Sequence, residues 1–108
     1  MTTTMRFTSA DLEFLPDDGK RYEIIAGELY VSKQPTWHHQ RACGMFFGEL
    51  NAWSVATDSG QASIAPGVIF ADDDDVAPDV VWVRKDRLAV LMDDRGRLTG
   101  APDLIAEV

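Results

Sequence analysis

Ala77-Pro78-Asp79-Val80-Val81-Trp82-Val83 and Ala101-Pro102-Asp103-Leu104-Ile105-Ala106-Glu107-Val108 are the two stretches on which the fold turns. Each is a short, nearly continuous apolar run, the pattern of a strand covered on both faces. Each also carries an acid: Asp79 opens the first run and Glu107 sits within the second. Stripping water from an isolated carboxylate costs several kcal/mol. No Lys or Arg stands beside either acid within its own run. Acids so placed are expected to pair with a cation or to bind a metal. Mg²⁺ suits the pair, because it takes oxygen ligands at about 2.1 Å and commonly uses one or two carboxylates with water and substrate phosphate. Adjacent strands would bring Asp79 and Glu107 onto one ion, a setting for polarising a scissile phosphate and activating water.

Upstream, Thr8, Ser9 and Asp11 predict a short capped helix ending near Leu15, before Pro16 and the Asp17-Asp18-Gly19 turn. Two β-prone runs then flank Ala26-Gly27, a hairpin signal that pairs Ile25 with Glu28 and Ile24 with Leu29. In that register Tyr22, Ile24, Leu29 and Val31 share the expected core face. Thr36 is the expected cap of a long helix. Its apolar stripe reads His39, Ala42, Cys43, Phe46, Leu50 and Trp53, and it ends around Thr57-Asp58-Ser59-Gly60. Residues 61–71 read as extended, broken at Pro66-Gly67; residues 72–75 read as a solvated acidic turn; residues 86–91 predict a short helix. The whole is expected to be a single α/β domain over residues 1–108, a central mixed sheet with flanking helices, its final part missing because the chain stops inside an apolar strand.

The chain has 108 residues and 45% hydrophobic content, too apolar for disorder. Its single cysteine, Cys43, excludes an internal disulfide and fits a reducing cytoplasm. No apolar run approaches the roughly eighteen residues of a membrane span, and no signal core opens the chain. The net charge of −8 argues against broad, non-specific nucleic-acid binding, which needs a positive surface. It leaves a metal nuclease open, since a site for a divalent ion itself requires carboxylates.

In order and spacing, four segments resemble the PD-(D/E)xK nucleases, and within them the Uma-two family of restriction endonucleases. The segments are Arg21-Tyr22-Glu23-Ile24-Ile25-Ala26-Gly27-Glu28-Leu29, then His39-Gln40-Arg41, then Ala77 to Val83, and finally Gly100 to Val108. The resemblance runs from about Thr8 to the end. It implies a restriction-endonuclease-like fold and a DNA substrate cut with Mg²⁺, Mn²⁺ being an alternative ion. It implies that Asp79 and Glu107 are the motif acids and that the backbone carbonyl of Val108 completes the metal shell. Glu28 and His39 match family positions and would be accessory catalytic residues. The motif lysine does not follow within these residues; in the family it lies in a later basic helix. Apolar surface left by that missing part would drive homodimerisation.

The same residues admit rival readings. Asp103 shares a strand face with Glu107 but stands about 13 Å away at roughly 3.3 Å per residue, and reads better as a turn residue. Residues 72–75 fail the calcium-loop pattern, with Val76 and Ala77 at loop positions five and six. His38, His39 and Cys43 suggest zinc, but no third and fourth ligands stand at zinc spacing. Trp37, Trp53 and Trp82 read as core or interface residues. The alternatives to an endonuclease are a catalytically degenerate module of the same fold that binds nucleic acid or protein, and a structural remnant.

Overall fold

The computed structural model of the chain describes residues 5–108. The first turn, Ser9–Phe14, is a 3-10 rather than an α-helix; the Asp11 carboxylate accepts the Thr8 N–H at 2.8 Å. β1 (Arg21–Ile25) and β2 (Glu28–Ser32) form the expected hairpin, pairing Ile25 with Glu28 and Ile24 with Leu29. Its two turn residues, Ala26 (φ 51°) and Gly27 (φ 79°), are both left-handed, as a primed two-residue turn requires. Ile24 is fully buried, whereas Val31, expected on the same core face, is 51% exposed.

The long helix α1 spans Trp37–Thr57, and the Thr36 hydroxyl accepts the His39 N–H at 3.2 Å. Its buried stripe differs from the expected one. Cys43 and Ser54 are buried, Phe47 and Leu50 partly so, and Ala42, Phe46 and Trp53 stay exposed. A polar anchor sets this rotation. Trp82 Nε1 donates to Ser54 Oγ at 2.8 Å, and that hydroxyl donates to the Leu50 carbonyl at 2.7 Å. Trp53 lies at the rim, its ring centroid 5.3 Å from that of Trp82.

β3 (Gly60–Ile64) and β4 (Val68–Ala71) flank the predicted break. The acidic stretch departs from expectation: only its first half is a turn, and Asp74–Val76 form a strand, β5. Asp74 Oδ1 accepts the Ala26 N–H at 2.7 Å. Asp75 is buried and accepts the Ser9 hydroxyl at 2.5 Å. These acids therefore fasten the first hairpin and the 3-10 turn to the sheet instead of facing water.

β6 (Val80–Arg84) is the covered strand that its apolar run predicts, with Val80, Val81 and Val83 at most 2% exposed. α2 (Lys85–Leu91) follows directly, and β7 (Leu104–Ala106) pairs antiparallel with β6. β7 is not the doubly covered strand expected: it is an edge, with Leu104 39% and Ile105 42% exposed. The α/β class holds, but the strands divide into two antiparallel sheets, β2-β1-β5-β4 and β3-β6-β7, in place of one mixed sheet. A parallel bridge joins Val68 to Leu98. Val68, Val81, Val83 and Leu98 form the buried core between the sheets, with Val76, Leu88 and Leu91 against it.

Candidate metal centre and its cleft

The covered strand β6 begins where the first sheet meets the second, and this junction places Asp79. Strand residues two apart share a face, so Arg21 and Glu23 of β1 both reach the segment entering β6. Arg21 Nη1 donates to the Ala77 carbonyl at 2.5 Å and to Asp79 Oδ1 at 3.0 Å. Glu23 Oε2 accepts the Ala77 N–H at 2.9 Å. From α1, His39 Nε2 lies 3.3 Å from Asp79 Oδ2, and the Val108 N–H donates to the same oxygen at 2.7 Å. Asp79 is only 5% exposed. Burial pushes its carboxyl toward the neutral form, but the Val108 N–H, the Arg21 guanidinium and His39 together outweigh burial and hold its pKa below the ordinary value. The expected cation partner thus exists, but it comes from the hairpin rather than from either acidic run.

The β6–β7 register sets Val80 opposite Ala106. The ladder ends at that pair, and Asp79 and Glu107 are the next residue on either side of it. Glu107 is exposed. Desolvation at its carboxyl and then the negative charge of Asp79 raise its pKa, against a lowering by Arg21. The two acids are therefore electrostatically coupled. Val108 meets Asp79 through its N–H, not through its carbonyl.

Glu28 is not brought to this place. It stands beside the hairpin turn, exposed, where it accepts the Tyr30 hydroxyl at 2.9 Å. Glu23 is the hairpin acid whose charge reaches Glu107. The signal for Arg21 and Glu23 was the strand alternation itself, which sets them on the face opposite Ile24. Asp103 serves its turn, accepting the Arg84 N–H at 2.8 Å and pairing with Arg87 at 2.8 Å.

Cys43 is one helical turn beyond His39, its Sγ 3.8 Å from His39 Nδ1. Burial, then the charge of Asp79, raises the thiol's pKa. Ligand atoms of His39, Cys43 and Asp79 all lie within 4.8 Å of one another; Glu107 and His38 are outside that group. The third ligand missing from the local zinc spacing thus arrives from another element. A cleft of about 170 Å³ opens over these residues, lined also by Lys20, Arg21 and Lys33. A chain of net charge −8 therefore concentrates basic side chains beside its buried acid.

A hairpin, a long helix and a central strand that opens on a buried aspartate make up a nuclease-type α/β fold. The chain belongs to the Uma2 (Uma-two) family, described as "Putative restriction endonuclease", which it matches over residues 9–108. Its fold is similar to that of a solved structure from Anabaena variabilis, described as a "putative nuclease belonging to DUF820", with a TM-score of 0.74 at 19% identity. The match covers 94% of this chain and 57% of the other, so this chain spans little more than half of that protein. None of the curated proteins matches the chain. Among the described residues, no helix is long and apolar enough to cross a membrane.

Proposed function

We propose that the chain carries the metal-binding core of a Mg²⁺-dependent DNA endonuclease, a single domain in which Asp79 and Glu107 hold the ion and Mn²⁺ can replace it. The observation that carries this reading is the buried Asp79 carboxylate at the entry to β6, close enough to Glu107, just past the Val80–Ala106 pair, that its charge raises the Glu107 pKa. The donor set fits a hard divalent ion. Two carboxylates raise each other's cost of ionisation, and a shared cation removes that cost. When bound, the ion supplies Lewis-acid polarisation of the phosphate. The protein's own groups do the rest. Lys20, Arg21 and Lys33 line the cleft and would neutralise backbone phosphates, offsetting the acidic net charge locally. Arg21 and the Val108 N–H fix the Asp79 carboxylate, and the His39 imidazole beside it can hold or pass a proton. Glu28 has no part in this arrangement.

The test is nicking of supercoiled plasmid by the purified chain. Cleavage should require Mg²⁺ or Mn²⁺ and should be lost in Asp79→Asn and in Glu107→Gln. Cleavage that survives Asp79→Asn contradicts the proposal. A second reading, a catalytically degenerate binding module, is favoured by the Arg21–Asp79 ion pair, which satisfies the buried acid without any metal. In that case DNA is retained on the cleft without cleavage, and no saturable Mn²⁺ site is found. We further read the protein as cytoplasmic, consistent with its one free, buried thiol, and as a homodimer.

A further inference from the structure

We propose that His39, Cys43 and Asp79 form a second, thiophilic metal site that takes Zn²⁺ or a similar soft divalent ion. The site shares Asp79 with the Mg²⁺ site and so excludes the hard ion. Three ligand types, imidazole nitrogen, thiol sulfur and carboxylate oxygen, converge from two elements that packing holds together. His39 and Cys43 are one turn apart on α1, and Asp79 enters β6 beneath them. One ligand atom from each lies within 4.8 Å of the others; Cys43 Sγ is 3.8 Å from His39 Nδ1, and Asp79 Oδ2 is 3.3 Å from His39 Nε2. Zinc bonds sulfur at about 2.3 Å and nitrogen or oxygen at about 2.0–2.2 Å, which makes a tetrahedral edge of about 3.5 Å. The sulfur and the carboxylate now approach different nitrogens of the ring, so coordination requires the imidazole to turn until one nitrogen meets both.

The contacts now present show what an ion would replace. His39 Nε2 gives up its contact with Asp79 Oδ2, and the thiol releases its proton to solvent on coordination. Arg21 keeps Asp79 Oδ1, so the carboxylate stays oriented. Entry is open, because the cleft that admits solvent is lined by all three residues. Three protein ligands would leave one tetrahedral position for water. Sulfur selects against Mg²⁺, and it selects for zinc, cadmium and cobalt. Occupation by a soft ion would remove Asp79 from Glu107, and soft ions should therefore antagonise Mn²⁺ binding. Only this antagonism rests on the proposed endonuclease reading; the soft site itself does not.

The experiment titrates the purified chain with Co²⁺ and then with Zn²⁺ against a chromophoric chelator. Wild type should develop a thiolate-to-cobalt charge-transfer band in the near ultraviolet, and Zn²⁺ should displace it. Cys43→Ser should abolish the band and weaken Zn²⁺ binding by about 100-fold or more, given that losing even an outer-shell partner costs about 10- to 100-fold. His39→Asn, which leaves the buried thiol in place, should weaken Zn²⁺ binding to a similar degree. Mn²⁺ binding should persist in Cys43→Ser. A cobalt spectrum without a sulfur band, or Zn²⁺ affinity unchanged in His39→Asn, overturns the inference. If the band appears while wild type binds no Mn²⁺, the soft site stands and the endonuclease reading falls.

Discussion

Asp79 and Glu107 illustrate how two like acids, just past the last β6–β7 pair, are shifted in opposite directions. Asp79 is buried but bonded to the Val108 N–H and Arg21, and its pKa lies below the ordinary 3.8. Its contribution to stability is therefore present above that value and is lost as pH falls through the lowered one. Glu107 gains no such cation of its own, and desolvation with the charge of Asp79 raises it above 4.5. Relative to the unfolded chain, its contribution is fully present below pH 4.5 and is lost as pH rises through the raised value. Glu107→Gln should accordingly melt higher than wild type at pH 7, and the difference should vanish below pH 4.5. Thermal denaturation at the two pH values checks this; a lower melting temperature for the variant at pH 7 would contradict it. A gain in stability alongside lost ion binding is the usual mark of a functional residue. The need of Asp79 for a partner was legible in the sequence, because a charge opening an apolar run demands one; Glu107 is exposed past the end of β7, so the same reasoning does not reach it. Arg21 was not legible, since its partner lies 58 residues away and only the packing of β1 against the entry to β6 joins them.

At the scale of elements, legibility followed locality. The Ala26-Gly27 hairpin, the Thr36 cap and the covered β6 run each depend on neighbours in sequence, and each forms where its residues predict. The face α1 buries does not, because apolar periodicity alone put Phe46 and Trp53 inward. The structure buries Ser54, a residue that hydropathy would place outside, since its hydroxyl satisfies the Trp82 indole. β5 was missed for a similar reason: four consecutive aspartates read as solvent-facing until Ser9 and the Ala26 N–H are seen to bond to them. Ser54→Ala should leave the Trp82 N–H without a partner and cost about 1–3 kcal/mol. Chemical denaturation measures that loss. Adding Trp82→Phe should recover most of it, because the orphaned donor is then gone; equal costs for the single and double variants would show that packing alone was at stake.

For the whole molecule, two small antiparallel sheets share one apolar core, and the seam between them positions the cleft. The shape is elongated, with a radius of gyration of 15.2 Å against about 13 Å for a compact chain of 100 residues. Large apolar side chains remain outside, among them Trp37 at 78% and Val55 at 74% exposure, and the outer edge of β7 has no pairing strand among the described residues. Open edges and apolar patches favour self-association. Light scattering across a dilution series should report a dimer at micromolar concentration, and a monomer at every concentration would remove that expectation. The bipartite sheet was not legible in the sequence, because strand order is set by contacts between distant runs and the named strands among the described residues all pair antiparallel. What the fold most directly asks to be measured is the position of a bound hard ion. An anomalous-difference map from crystals soaked in Mn²⁺ should show one peak within coordination distance of both Asp79 and Glu107. A peak touching neither carboxylate, or no peak at saturating Mn²⁺, would contradict the account.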